Sequence, residues 1–96
     1  MNVGVDLHKS QFTVYWRSDD GVTGRHERYA TSDDGYRRFE MALQSVVETG
    51  TAVAVAVEST GNTRYFKQRA ERCGVEVRVV NTAKFKVVTE SVETVN

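Results

Sequence analysis

Apolar side chains alternate from Val3 to Leu7, with Val3, Val5 and Leu7 on one side and Gly4, Asp6 and His8 on the other. That period of two predicts a strand with one buried face. The alternation resumes from Gln11 to Ser18, where Phe12, Val14 and Trp16 oppose Thr13, Tyr15 and Arg17. Asp19-Asp20-Gly21 then supplies turn chemistry, so a hairpin is expected. The third stretch, Val22 to Ala30, is polar through Arg25, His26, Glu27 and Arg28, which suits an edge strand whose charges discourage pairing with other chains. Ser32 is a good helix N-cap, Asp33 and Asp34 suit the positive end of a helix dipole, and Tyr36, Phe39, Leu43, Val46 and Val47 fall on one face. A helix to about Thr49 follows, with Gly50 in the left-handed position after it.

From Thr51 to Val57 the residues are nearly all small or β-branched and apolar, as expected of a central strand covered on both faces. Glu58 interrupts that run. Ser59, Thr60 and Gly61 form a turn into a second helix carrying Tyr65, Phe66, Ala70 and Cys73, closed by Gly74. Val75, Val77, Val79 and Val80 predict a fifth strand, and the spacing of Phe85, Val88, Val92 and Val95 predicts a last amphipathic helix. The order is a three-strand meander followed by alternating helices and parallel strands, an α/β fold with a mixed sheet. A strand, crossover helix and returning strand are expected to be parallel and right-handed.

The 96 residues suffice for one domain spanning 1–96, which should bury about 65% of its unfolded surface. The longest apolar run, Ala52 to Val57, falls far short of the roughly 20 residues of a membrane helix. Neither a membrane span nor a signal peptide is expected. A single cysteine, Cys73, can form neither an internal disulfide nor a structural zinc site, in keeping with a reducing cytoplasm. The 13 basic and 13 acidic side chains cancel, which argues against a strong nonspecific polyanion binder and confines any nucleic-acid contact to a local patch. Gly61 to Ala70, with Arg64, Lys67 and Arg69 and no acid, is such a patch or simply a solvated helix face.

Asp6 and Glu58 each interrupt an apolar strand, and a buried ionised carboxylate costs several kcal/mol, roughly, without a partner. If the first strand lies beside the fourth, their backbones are about 4.8 Å apart and both acids project from the same end of the sheet. Such a pair could share a proton, be bridged by a base, or hold a hard cation such as magnesium, which takes one or two carboxylates and keeps waters. The alternative is that Asp6 caps a turn while Glu58 pairs with Lys9 or Arg64. Spacing alone leaves both open.

Three segments together carry a resemblance: Val3-Gly4-Val5-Asp6-Leu7-His8-Lys9, Val57-Glu58-Ser59-Thr60-Gly61, and Val79-Val80-Asn81 followed by basic residues. In order and spacing the chain resembles the N-terminal domain of the DEDD insertion-sequence transposases, relatives of the Piv-type DNA invertases. The resemblance implies a RuvC-like, ribonuclease-H-like fold and divalent-metal-dependent DNA strand cleavage and transfer. It puts the first catalytic and metal-binding acid on Asp6 and the second on Glu58, with Mg2+ or Mn2+ as the ion. The family's third and fourth acids, two aspartates three residues apart, have no counterpart, since only Glu71, Glu76, Glu90 and Glu93 follow Glu58. The expectation is an N-terminal fragment of a longer transposase, inactive by itself. Also implied are partners: transposon-end and target DNA, in some members a structured noncoding RNA, and a homo-oligomer in the full-length protein.

Lys9, Thr60 and Arg64, with Lys84 and Lys86 after the fifth strand, are candidate phosphate contacts, the second helix offering its N-terminal amides. The same residues read equally as ordinary surface charge. His8 shares a strand face with Asp6, and Tyr15, Trp16, Tyr65 and Phe66 could stack on bases. Of Tyr15 and Trp16, neighbours on a strand, at least one must be core. Two rival readings remain: a noncatalytic interaction module of the same fold, and a nucleotide-binding fragment of the actin and sugar-kinase type. The latter is disfavoured because no glycine follows Asp6 before Gly21 to let the backbone approach phosphates.

Overall fold

A computed structural model describes residues 1–60 and 62–80. Strands β1 (Asn2–Leu7), β2 (Gln11–Arg17) and β3 (Gly24–Ala30) form an antiparallel meander. Helix α1 (Asp33–Glu48), strand β4 (Ala54–Glu58), helix α2 (Thr63–Glu71) and strand β5 (Glu76–Val80) follow. The sheet order is β3-β2-β1-β4-β5, with β4 parallel to both β1 and β5. The expected mixed α/β sheet is therefore present. The amphipathic helix expected over 85–95 lies outside the described residues.

Local chemistry explains the element ends. Asp20 closes the β2–β3 hairpin by accepting from the Val22 and Thr23 amides, both at 2.8 Å, and Gly21 there has φ 73°. These hydrogen bonds hold the Asp20 carboxyl below its ordinary value. At the start of α1 the Ser32 hydroxyl accepts from the Gly35 amide at 3.2 Å, and Asp33 and Asp34 occupy the first turn. Gly35 also allows a close approach, because a Cβ there would overlap the backbone carbonyl of Ala30. β3 begins at Gly24 rather than Val22, which the hairpin turn leaves largely exposed.

Val3, Val5, Phe12, Val14, Trp16, Val55 and Val57 line one side of the sheet and are buried against Tyr36, Phe39, Leu43, Phe66 and Ala70 of the two helices. Phe12 sits within 6 Å of four other rings, meeting Phe39 and Phe66 edge-on. The Trp16 ring is buried below the Arg25 guanidinium, 5.0 Å from the ring centroid. Burial pushes the Tyr36 hydroxyl up to about 12. Both described helices therefore feed a single core on one side of the sheet.

Among the described residues, β4 is covered by helices on one face and not on both as expected: Val55 and Val57 are buried beneath them, whereas on the other face Ala54 is exposed and Ala56 half-buried. Val79 is likewise 44% exposed, since β5 is an edge. Among the described residues no helix is long and apolar enough to cross a membrane.

Candidate functional site

β1 and β4 pair in parallel with Val3 beside Val55, Gly4 beside Ala56 and Val5 beside Val57. Continuing that register by one residue sets Asp6 level with Glu58. In a parallel pair, residues in register share a face. Asp6 and Glu58 therefore fall on the face opposite the helices, with Gly4 and Ala56, at the C-terminal end of both strands. The convergence inferred from the sequence depends on this register, because a one-residue slip would send one acid into the core.

Asp6 is one-third exposed at its side chain, and its Oδ2 accepts from His8 Nε2 at 3.0 Å. A carboxylate only accepts, so this contact places the proton on Nε2. Glu58 is half-buried, and its backbone is held twice over. Its carbonyl accepts from the Thr63 hydroxyl at 2.8 Å, and the next amide, of Ser59, donates to the Val80 carbonyl of β5 at 3.0 Å.

Lys9, Thr60 and Arg64 follow these strand ends in the chain. Lys9 is exposed in the turn between β1 and β2, where its carbonyl accepts from Thr31 Oγ1. Thr60 is exposed in the turn after β4, and Arg64 is exposed in the first turn of α2. Lys84 and Lys86 fall outside the described residues. Of the aromatic candidates, Trp16 and Phe66 are core residues and unavailable to a base, whereas Tyr15 lies on the uncovered face beside His26, with ring centroids 5.7 Å apart.

Arg69 is a second correction. Counted with the basic patch, it is instead buried between the helices, with its guanidinium bonded to Glu40 Oε1 at 2.5 Å, Asp33 Oδ1 at 3.0 Å and the Tyr65 hydroxyl at 2.8 Å. It also lies 5.2 Å from the Tyr36 ring centroid. Its hydrogen bonds to Glu40 and Asp33 raise its already high pKa, so it stays charged, and that to Arg69 lowers the Asp33 carboxyl. Tyr65, one of the aromatic candidates on α2, is 49% exposed and serves as one wall of this cluster. Arg64 and Lys67 thus remain as the surface cations of α2.

Asp6 and Glu58 supply hard oxygen donors, the type suited to magnesium or manganese, and two carboxylates are the number magnesium commonly takes. Among the described residues there is no group of three or more His, Cys, Asp or Glu side chains placed to hold a metal ion. The residues present therefore fit a two-carboxylate, water-rich site rather than a closed cage.

No family model matches the chain, and no curated protein matches it. Among solved structures it is similar to RuvC of Thermus thermophilus, with a TM-score of 0.54 and 19% identity over 88% of this chain. The match covers 64% of the RuvC chain. At that identity the likeness establishes the fold, which is ribonuclease-H-like.

Proposed function

We propose that the chain is the N-terminal, ribonuclease-H-like part of a DNA recombinase of the DEDD insertion-sequence transposase kind, with Asp6 and Glu58 acting in metal-dependent strand cleavage and transfer. The observation that supports this reading is the register that sets Asp6 and Glu58 level at the same ends of β1 and β4, on the face opposite the helices. A magnesium or manganese ion bound there would polarise a phosphate oxygen and lower the pKa of the attacking water or hydroxyl. His8 orients Asp6 through Oδ2, which leaves Oδ1 for a cation. Lys9, Thr60 and Arg64 surround this end of the sheet and would meet DNA phosphates, positioning the backbone without reading sequence.

Transposon-end and target DNA are the partners this reading requires, and a structured noncoding RNA and homo-oligomerisation belong to the same reading of the whole recombinase. With two carboxylates, the 96-residue chain should bind magnesium or manganese weakly, in about the millimolar range. Strand cleavage is then a property of the longer protein that supplies two more acids. The test is magnesium-dependent cleavage of DNA by that full-length recombinase. Asp6→Asn and Glu58→Gln should each abolish cleavage while the protein stays folded and still binds DNA. Undiminished cleavage by the double variant would refute the assignment and leave a noncatalytic interaction module.

A further inference from the structure

We infer that Thr63 is a positioning residue for Glu58, holding the end of β4 so that the carboxylate stays level with Asp6. The inference rests on the metal reading of the two acids. Thr63 is only 8% exposed, unusual for a polar residue opening a helix, and its hydroxyl is used in both directions. It donates to the Glu58 carbonyl at 2.8 Å and accepts from the Thr60 amide at 2.7 Å. The Thr63 amide in turn donates to the Thr60 carbonyl at 3.2 Å, closing the turn from both ends. α2 has no side-chain cap from Asn62, so this hydroxyl links strand end to helix start.

The physical argument is one of constraint. Glu58 is the last residue of its strand, where ladder hydrogen bonds give out and the chain must turn into α2. On the β5 side the Ser59 amide is tied to Val80, and on the α2 side the Thr63 hydroxyl holds the Glu58 carbonyl. Removing that hydroxyl leaves two partly buried backbone groups, a carbonyl and an amide, without their partner, so the turn reorganises to reach water. Asp6 stands on β1, whose register does not involve Thr63, and its position is unaffected.

The experiment is a manganese titration of the chain followed by NMR, reading paramagnetic broadening at Asp6 and Glu58 in the unsubstituted protein, Thr63→Ser and Thr63→Val. Thr63→Ser keeps the hydroxyl and should match the unsubstituted protein. Thr63→Val keeps the volume and loses the hydroxyl, and should weaken manganese binding about 10-fold or more, read from the manganese concentration at which broadening around the two acids is half complete. A merely structural role would lower thermal stability without weakening manganese binding. Equal binding in folded Thr63→Val would overturn the positioning role alone. A 10-fold loss in Thr63→Ser, roughly the size expected for losing the hydroxyl, would overturn it too, even if the valine variant does not fold. Absence of broadening at both acids in the unsubstituted protein would overturn the metal reading itself, and the positioning role with it.

Discussion

On the helix-covered side of the sheet, Val5, Phe12, Val14, Val55 and Val57 meet the rings and aliphatic side chains of α1 and α2, whereas on the other side the same strands present Asp6, Thr13, Tyr15, Arg28 and Glu58. Alternation along each strand makes this division unavoidable, since every second side chain crosses to the opposite face. The covered side holds the fold, because burial of apolar area is the main stabilising contribution. The other side is left free to place charges close together, an arrangement that a packed interior would penalise.

That division can be broken or sharpened by substitution on each side. Phe39→Ala, at the centre of the covered face, should cost about 4 kcal/mol in chemical denaturation, a large part of the stability of a small domain. A loss below about 1 kcal/mol would mean the core is not organised around this ring cluster. Arg69→Met, which takes from Glu40 and Asp33 the buried guanidinium that joins them, should cost about 3 kcal/mol and loosen α2 from α1. If its melting transition is unchanged, the ion cluster is solvated and the helices are held by apolar contacts only.

The uncovered face should behave in the opposite way. Asp6→Asn with Glu58→Gln is expected to change stability by no more than about 0.5 kcal/mol while removing manganese broadening at both positions. A large destabilisation would make the acids structural and dissolve the contrast between the faces.

The smallest effect concerns acid. Asp33 is held below the ordinary carboxylate value by its hydrogen bond to Arg69 and by Arg37, so its contribution is present above the unfolded value near 3.8 and fades as pH falls through the lower folded one. Asp33→Asn should therefore flatten the fall in melting temperature below about pH 4 and leave the neutral-pH slope unchanged. An identical acid profile in the variant would show that the contact with Arg69 does not persist in solution.

Most of the elements were legible because their causes are local. Val3, Val5 and Leu7 announce a strand by spacing alone, Ser32 announces a helix start, and Gly50 and Gly74 both adopt φ 84°, the left-handed backbone expected after a helix. Two expectations failed for a common reason. A run of small apolar residues in β4 reads as doubly covered, although the described residues cover one face, and Arg69 reads as surface charge, yet in each case the surroundings come from distant chain. Glu40 is 29 residues from Arg69, and no local pattern signals that an arginine on α2 will find it. Thr63 escaped notice in the same way, as a threonine after a turn carries no mark that its hydroxyl will reach back five residues to Glu58.

The candidate site divides along the same line. That Asp6 and Glu58 are exceptional was evident from the sequence, because an acid at the end of a valine-rich strand stands out against the period of its neighbours. That they stand level was decided by tertiary structure, through the parallel pairing of β1 with β4 and its register. Periodicity, caps and turns act over a few residues and are written in composition. Register between strands some fifty residues apart is set by which pairing buries Val3, Val5, Val55 and Val57 together under one pair of helices, a property of the whole core.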